Sequence, residues 1–413
     1  MAKVQHRHPD VTATLWAHPE FKGWICGVEG RKRLEELSEI AMERDVAARN
    51  SLSRHSVVRA IEWQFCDRFL KKRQPITYKK VDQMLKRAVS HALSKCVDQH
   101  IAIPCCVTDD SVPESFQLAG IEFVRTSAFL SRLSSDGFRD ESGWLKSPVI
   151  NESVERNPWM AIAAVRGMDK ELGLESAQSA VQAALEFLAA LLNPLHGNRL
   201  VIARTTRRPE TSFHFTRGPE RGWSIGWEMR ANQTTFGDRW QEYVHGEMRP
   251  FLVAGEQAIA RLLLPRTPYP LELRFLDGLH WFGIACREPS SASKIVASVF
   301  VIERLSMTRE TIDSGFITRA FAQRAVVLAQ EFAGVGAIQW FTRLVSLYDM
   351  RSRLVHGDIS PADGAISGNA DFALLTARAA LLGSLVVYGK LANGLGTDEH
   401  LQRYFELTAP RDL

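Results

Sequence analysis

The sequence predicts a mainly α protein with an α+β middle region, and three observations support this fold class. Apolar residues recur at spacings of three and four through much of the first hundred residues and again from about residue 256. Between these stretches, short runs of β-branched and aromatic residues alternate with Gly and Pro. The chain of 413 residues is 45% apolar and 24% charged, which is ordinary for a soluble globular protein. The predicted domains are an N-terminal helical region at 1–105, an α+β middle domain at 106–255 and a helical bundle at 256–413.

The first domain is expected to contain amphipathic helices separated at a proline. The stretch "RKRLEELSEIAMERDVAARNSLSRHSVVRAIEWQFCDRFLKKR" has helical periodicity up to the turn around Pro75. "VDQMLKRAVSHALSKCVDQH" then predicts another amphipathic helix. The following "IAIPCCVTDDSVPESFQLAGIEFVRTSAF" contains Pro, Asp and Gly at intervals, which is typical of strands and loops.

The middle of the chain combines predicted strands with one long helix. "WMAIAAV" predicts a buried strand, and "LESAQSAVQAALEFLAALL" predicts a helix that ends at "NPLHGN". Three further β-like runs follow, "RLVIART", "TSFHFTR" and "WSIGWEM". Together they predict a small α+β unit.

The C-terminal domain is predicted to be a bundle of five helices. The helical segments are "LELRFLDGLHWFGIACRE", "SKIVASVFVIERLSM", "FITRAFAQRAVVLAQEFA", "IQWFTRLVSLYDMRSRLVH" and "DFALLTARAALLGSLVVYGKLA". Their connections are mostly short, which favours antiparallel neighbours in a bundle.

Composition and termini predict a cytoplasmic protein. The formal net charge is only +4, so the total charge neither requires nor excludes nucleic acid. Six cysteines without any Cys-x-x-Cys spacing predict reduced thiols rather than a disulfide framework. The first residues contain no apolar signal region, and no continuous run of eighteen apolar residues occurs, so no contact with a membrane is expected.

An arginine and a histidine near the end of one predicted helix, Arg351 and His356, form a candidate catalytic pair. Five residues correspond to about 140° of rotation on a helix, so the two side chains do not share a face by default. Arg353, three residues before His356, does share its face.

The chemistry of this pair suits cleavage of a phosphodiester. Gly357 is expected to end the helix in the left-handed conformation, which places His356 in the last turn, where the helix dipole favours positive charge. A histidine can act as general acid or base, and an arginine can neutralise a phosphate with two parallel hydrogen bonds. Basic residues are also common in last helical turns for purely structural reasons, so the spacing leaves a surface role open.

The longer motif adds a resemblance to a known family. "LYDMRSRLVHG" resembles the signature of the ApeA-like branch of the HEPN superfamily, in which an Arg-x(4–6)-His motif often has a polar residue after the arginine. Here Arg351, Ser352 and His356 match these positions. "RFLDGLHWFGIACRE" and "VFVIERL" resemble earlier helices of that domain, with Glu303 at an acidic position, and "ARAALLGSLVVYGKLA" resembles its closing helix. The resemblance covers about residues 256–405.

This resemblance implies a HEPN-type antiparallel helical bundle that dimerises, with the two Arg–His motifs facing each other across the interface. Members with an intact motif are typically metal-independent endoribonucleases, in which a hydroxyl attacks the adjacent phosphate and leaves a cyclic phosphate. Many are toxins or act in antiphage defence, and several cleave tRNA. The resemblance therefore implies RNA, a second copy of the chain and a phage or cellular trigger as partners. Other members have lost activity and serve as binding scaffolds, which is the alternative function.

Further residues are expected to support the catalytic pair or hold RNA. Ser352 departs from the Asn, Asp or His often found after the motif arginine, which affects the expected orientation of the site. The residues expected to orient the pair or hold RNA are Tyr348, Asp349, Ser352 and Arg353, with Glu303 as a buried partner.

An arginine- and aromatic-rich stretch, "RLVIARTTRRPETSFHFTRGPERGW", offers a second candidate RNA contact in the middle domain. Arginines can bind phosphates and aromatic rings can stack on unpaired bases. The alternative is a solvated loop between strands whose aromatic residues face inward. The candidate RNA-binding residues are Arg204, Arg207, Arg208 and Arg217.

Other motifs predict neither a cofactor nor a metal. "HALSKCVDQHIAIPCC" contains His and Cys side chains that could bind zinc, but their spacing matches no closed zinc site. The sequence contains no Gly-x4-Gly-Lys-Ser/Thr loop and no Gly-x-Ser-x-Gly elbow. The basic stretch "FLKKRQPITYKK" is interpreted as a charged turn between helices, with a basic RNA track as the alternative.

Overall fold

A computed structural model describes the backbone of most of the chain. The described residues are 15–18, 23–26, 28–108, 113–135, 157–202, 212–217, 223–228, 236–237, 239–310, 316–391 and 396–409. The chain forms two compact units. One consists of Met1–His100, Ala164–Ala177 and Leu262–Thr267, and the other of Ile101–Ala163, Gln178–Arg261 and Pro268–Leu413. The division into three domains stays a prediction.

The N-terminal region is mainly helical, as predicted. A short antiparallel hairpin of β1 (Leu15–His18) and β2 (Gly23–Cys26) precedes the helices and was not predicted from the sequence. The helices are α1 (Val28–Arg44), α2 (Val46–Ser51), α3 (Arg54–Phe65), a π-helical turn (Cys66–Lys71) and α4 (Tyr78–Leu93). Apolar residues of all four α-helices share one buried cluster.

Two capping residues divide the long helical stretch that the sequence predicted. The carboxylate of Asp45 accepts a hydrogen bond from the amide of Ala48 at 3.0 Å, and Ser53 Oγ accepts one from the amide of Ser56 at 3.1 Å. Such side chains satisfy amides that have no partner within the helix, so a new helix begins after each cap.

The helix predicted for "VDQMLKRAVSHALSKCVDQH" is wrong at its C-terminal end. Helix α4 ends at Leu93, and strand β3 (Val97–Cys106) begins four residues later. The residues Val97–His100 belong to this strand because the β-branched residues that follow, Ile101 and Ile103, favour extended backbone in a sheet.

The middle of the chain contains a five-stranded sheet. Besides β3 it consists of β4 (Ser115–Leu118), β5 (Ile121–Arg125), β6 (Trp159–Met168) and β7 (Val201–Ile202), in the order β4-β5-β6-β3-β7. Antiparallel pairing aligns Phe116 with Phe123, Phe123 with Ala161 and Cys105 with Ile202. Helices α5 (Thr126–Ser135) and α6 (Lys170–Leu191) follow β5 and β6. The predicted strand and long helix are therefore confirmed.

The remaining two β-like runs form a separate hairpin. Strand β8 (Ser212–Arg217) pairs in antiparallel register with β9 (Trp223–Glu228), and the five-stranded sheet does not include them. The α+β character of the middle region is therefore confirmed.

The last part of the chain is helical, as predicted. Its helices are α7 (Trp240–His245), α8 (Arg249–Ala260), α9 (Pro270–Arg287), α10 (Ser291–Ser306), α11 (Ile317–Ala333), α12 (Phe341–His356), α13 (Gly364–Lys390) and α14 (Asp398–Thr408). Helices α9 to α13 coincide with the five predicted segments. Helices α7, α8 and α14 were not predicted.

Helix α13 is the central helix of this region and packs against α8, α9, α10 and α11. Gly383 lets α13 approach α11 closely, since a Cβ atom there would lie 1.8 Å from the carbonyl oxygen of Leu328. Of the described helices, Gly364–Lys390 alone is long and apolar enough to span a bilayer. Its most apolar segment is 72% buried inside the protein, as in the core helix of a soluble protein. The cytoplasmic location stays a prediction.

Candidate active site at the end of helix α12

Helix α12 ends where the sequence predicted. His356 is its last residue, and Gly357 follows with φ of +82°, in the left-handed region that glycine adopts without strain. The amides of Gly357 and Asp358 both donate to the carbonyl oxygen of Arg353, the second at 2.8 Å. This termination fixes the direction of the chain immediately after His356.

The Arg351 side chain points toward helix α10. Its Nη2 atom donates to Glu303 Oε2 at 3.0 Å, and its guanidinium lies 4.8 Å from the centre of the Phe300 ring. Only 18% of the Arg351 side chain and 20% of the Glu303 side chain are exposed. The contact between Glu303 and Arg351 that the sequence suggested is therefore present.

Tyr348 completes the polar group around Glu303. Its hydroxyl donates to the Glu303 carboxylate, and its ring contacts Phe321 with centroids 4.8 Å apart. Burial raises the pKa of Glu303, and the positive charge of Arg351 opposes this shift. Burial also raises the pKa of Tyr348, and the neighbouring Glu303 carboxylate adds to the effect. Arg351 and Tyr348 thus stabilise a carboxylate in a place where water is largely excluded.

The Arg351 guanidinium keeps unused hydrogen-bonding capacity. A guanidinium offers five N–H donors in a fixed plane. The Nε atom of Arg351 is buried, and none of the residues that the structure describes accepts a hydrogen bond from it. Buried polar atoms usually have a partner, so a donor without one marks a place where a ligand could bind.

His356 lies on a different side of α12. It is exposed, and among the described side chains none forms a hydrogen bond with its imidazole. Asp349 and Arg353 form an exposed ion pair at 3.9 Å on the neighbouring part of the helix surface, and Ser352 is half-buried. The structure of one chain therefore joins Arg351 to Glu303 and Tyr348 and leaves His356 apart from them, as the spacing predicted.

The second predicted RNA contact falls largely outside the described part of the chain. Arg204, Arg207 and Arg208 lie outside the described residues. Arg217 is the last residue of strand β8, and the structure describes its backbone only. The proposed role of these arginines in binding RNA stays a prediction.

The His and Cys side chains that could bind zinc make other contacts. The His91 ring stacks on Trp63 with centroids 5.2 Å apart, and Cys105 is fully buried, which raises the pKa of its thiol. In the described portions of the chain, no three His, Cys, Asp or Glu side chains lie close enough together to hold a metal ion.

Sequence analysis missed the aromatic residues around Arg351. Phe300 lies under its guanidinium, and Trp281 of helix α9 contacts the Phe300 ring with centroids 5.1 Å apart. One signal was available, because Phe300 precedes Glu303 by three residues and therefore lies on the same face of α10.

Comparison with known proteins does not place the chain in a family. No protein-family model matches the chain, and neither a curated protein nor a solved structure matches it.

Proposed function

We propose that this protein is a metal-independent endoribonuclease whose site is formed by Arg351 and His356 in HEPN-type helical bundles. The observation that supports the proposal is that Arg351 and His356 differ in burial and in hydrogen bonding. Arg351 is a mostly buried cation with unused donors, and His356 is an exposed imidazole at the end of the same helix. Cleavage of a phosphodiester requires both a fixed positive charge and a group that transfers protons.

The reaction uses the ribose 2′-hydroxyl as its nucleophile. This oxygen attacks the adjacent phosphorus, and the bond from phosphorus to the 5′-oxygen breaks. His356 acts as the base that takes the hydroxyl proton or as the acid that gives a proton to the leaving oxygen. The products are a cyclic phosphate end and a 5′-hydroxyl end. Arg351 neutralises the negative charge that grows on the phosphate oxygens in the transition state.

A homodimer provides the arrangement that one chain lacks. Arg351 and His356 are about 140° apart around helix α12, so one chain does not aim both at the same phosphate by default. If two copies associate through their C-terminal helices, Arg351 of one copy can work with His356 of the other copy. The exposed position of His356 leaves it accessible to a second chain.

The proposed biological role follows from the resemblance of "LYDMRSRLVHG" to the ApeA-like branch. It is a cytoplasmic toxin or antiphage defence ribonuclease, with tRNA as a candidate substrate and a phage or cellular signal as its trigger. The remainder of the chain would recognise the trigger or select the RNA.

A non-catalytic scaffold that binds nucleic acid or a partner protein is the second candidate function. One observation favours it. The charge of Arg351 is already balanced by Glu303 inside the protein, as in a purely structural ion pair. In this case the pair stabilises the packing of α10 against α12, and His356 is a surface residue.

The proposal is tested by incubating the purified protein with total RNA and with tRNA in the presence of EDTA, beside the His356→Ala variant. Removal of a general acid or base lowers rates by about 10² to 10⁴-fold. The proposal predicts cleavage that EDTA does not prevent and that the variant has lost, with cyclic phosphate ends on the products.

Two controls make the result interpretable. Equal cleavage by both proteins would rule out His356 as the catalytic residue. If neither protein cleaves, repeating the assay with extract of phage-infected cells separates a nuclease that awaits its trigger from a scaffold, which stays inactive.

A further inference from the structure

The positive charge of this protein is concentrated in one segment of the first unit. Residues 54–100 contain eleven Lys and Arg but only four Asp and Glu, a net charge of +7 against +4 for the whole chain. The rest of the chain is therefore net negative. Such clustering attracts polyanions more strongly than the total charge suggests.

Helices α3 and α4 carry an exposed aromatic stack within this segment. The rings of Trp63 and His91 stack with centroids 5.2 Å apart and an angle of 22° between their planes. Trp63 is nevertheless 54% exposed. The stack holds the indole ring in one orientation and leaves much of its surface open to solvent.

Exposed cations flank this stack on both helices. Arg59 lies one turn before Trp63 on α3, Arg87 lies one turn before His91 on α4, and Lys95 follows His91 by four residues. All three are exposed, and none forms an ion pair with any residue in the described ranges. These five residues, Arg59, Trp63, Arg87, His91 and Lys95, are called the Trp63 face.

Two carboxylates lie close to Trp63 in the sequence. Glu62 of α3 is half-buried and forms no ion pair with a described residue, and Asp67 belongs to the π-helical turn that follows α3. Asp67 follows Trp63 by four residues, and the ammonium of Lys72 holds it at 2.6 Å. The hydrogen bond from Lys72 lowers the pKa of Asp67, so its charge is already matched by a partner. The Trp63 face thus combines a stacking surface with three cations that form no ion pair within the described ranges.

We infer that the Trp63 face binds an unpaired strand of RNA. Its cations hold successive phosphates, and Trp63 stacks on a base. Only an unpaired base exposes a π-face to a side chain, so a duplex satisfies the cations but not the indole ring. The choice of RNA as the strand rests on the proposed function. The face itself belongs to the first unit and contains none of the proposed catalytic residues.

The inference is tested by the affinity of the full-length protein for a fluorescent RNA strand with 2′-O-methyl groups, about twenty nucleotides long so that it spans several stacking sites. This strand has no attacking hydroxyl and cannot be cleaved by the proposed reaction. Stacking of one base predicts that Trp63→Ala weakens binding about tenfold. Trp63→Phe keeps a stacking ring and should restore most of the affinity. Arg87→Glu should weaken binding and reduce its dependence on salt.

Arg33→Glu is the matched control for charge. It makes the same change on α1, where Arg33 is paired with Glu36 at 3.0 Å, and it should change the affinity less than Arg87→Glu does. Unchanged unfolding midpoints would confirm that all variants are folded. Any of three results would overturn the inference: Trp63→Ala binding like the wild type, equal effects of the two arginine variants, or equal affinity for duplex RNA.

This experiment separates the inference from the proposed nuclease activity. If the protein binds the strand through Trp63 but cleaves no RNA, the face stands and the nuclease proposal fails. If it cleaves RNA but the Trp63 variants bind normally, the nuclease proposal stands and the face is wrong.

Discussion

Two arginines of the C-terminal helices, Arg274 and Arg351, differ in how many of their hydrogen-bond donors have a partner. Arg274 on α9, with 6% of its side chain exposed, donates through Nε and Nη2 to both carboxylate oxygens of Asp398 at 2.7 and 2.6 Å. Its Nη1 atom donates to the carbonyl oxygens of Arg304 and Met307 at 2.8 and 2.9 Å. These bonds connect α14 and the end of α10 to α9, which is a structural task.

Arg351 is more exposed, with 18% of its side chain accessible, and forms far fewer hydrogen bonds. Its Nη2 atom donates to Glu303 at 3.0 Å, but its buried Nε atom has no acceptor among the described residues. A fully bonded guanidinium has no donor to offer a ligand, whereas one with spare donors does. The comparison gives Arg274 a structural role and supports the proposed role of Arg351 in binding a ligand.

A third arginine, Arg287, also has a buried donor without a partner among the residues that the structure describes. Arg287 donates to Glu186 at 2.8 Å and also has a buried nitrogen, Nη1, without a partner in the described chain. An unused donor is therefore not sufficient to indicate function. Arg351 differs because an exposed histidine lies five residues later on its own helix.

The largest expected effect on stability is that of Arg274→Ala. Removing the guanidinium leaves the carbonyl oxygens of Arg304 and Met307 without their donor and the half-exposed Asp398 carboxylate without its ion pair. The four lost hydrogen bonds, at about 1 kcal/mol each, cost about 4 kcal/mol together. Arg351→Ala leaves the mostly buried Glu303 carboxylate without its cation, and the loss of this one charged hydrogen bond should cost about 1.5–3 kcal/mol. Urea unfolding of both variants measures the difference. Equal losses would show that the two arginines have the same structural role.

The next largest expected effect is a pH dependence of stability caused by Glu186, the carboxylate that faces Arg287. Burial raises the pKa of Glu186 to about 7, and Arg287 opposes this shift. An unfolded Glu titrates near about 4.3, so between these values the native state binds more protons than the unfolded state. The unfolding free energy should therefore fall by about 3–4 kcal/mol as the pH rises from about 4 to 8.

Glu186→Gln cannot titrate and should remove most of this decrease. Unfolding in urea at a series of pH values tests it, with the wild type as reference. A wild-type stability that rises over the same range would contradict the raised pKa of Glu186.

A smaller effect is expected for Gly357→Ala. An added Cβ meets no atom within 4 Å, so the cost comes from the left-handed backbone alone, about 1–2 kcal/mol. Because this glycine fixes the end of α12, the change should also reduce RNA cleavage. Thermal unfolding and a cleavage assay measure the two effects. Gly334→Ala, at another exposed glycine with positive φ outside the candidate site, is the control and should lower stability but not cleavage.

The smallest effect is expected for Asp349→Ala. Its ion pair with Arg353 spans 3.9 Å between side chains that are 64% and 50% exposed. Exposed pairs of this kind contribute less than about 1 kcal/mol, so the unfolding free energy should hardly change. A normal melting temperature with reduced cleavage would support a role of Asp349 in the site, and a large loss of stability would contradict its surface position.

The helices of the C-terminal region were predictable because their periodicity is local. All five predicted segments are helices, and Gly357 marked the end of α12. The environment of Arg351 was only partly predictable. Its partners Glu303 and Phe300 come from α10, about fifty residues earlier, and their contact depends on how α10 packs against α12.

The two breaks in the predicted N-terminal helix had local signals in the sequence, whereas the contact between Trp63 and His91 had none. Asp45 and Ser53 are favoured N-cap residues, and they divide a stretch whose apolar periodicity continues past them. The Trp63 and His91 rings meet only because α3 packs against α4, so periodicity alone could not pair them. Contacts within an element follow from the sequence, whereas contacts between elements require the packed structure.

The most direct test of this account is the cleavage rate of Arg351→Ala, measured with EDTA on an RNA that the wild type cuts, at equal concentrations of folded protein. Loss of a group that stabilises transition-state charge lowers rates by about 10² to 10³-fold. The account predicts a loss of this size with the fold and the oligomeric state unchanged. A wild-type rate would contradict it and would assign Arg351, like Arg274, to structure alone.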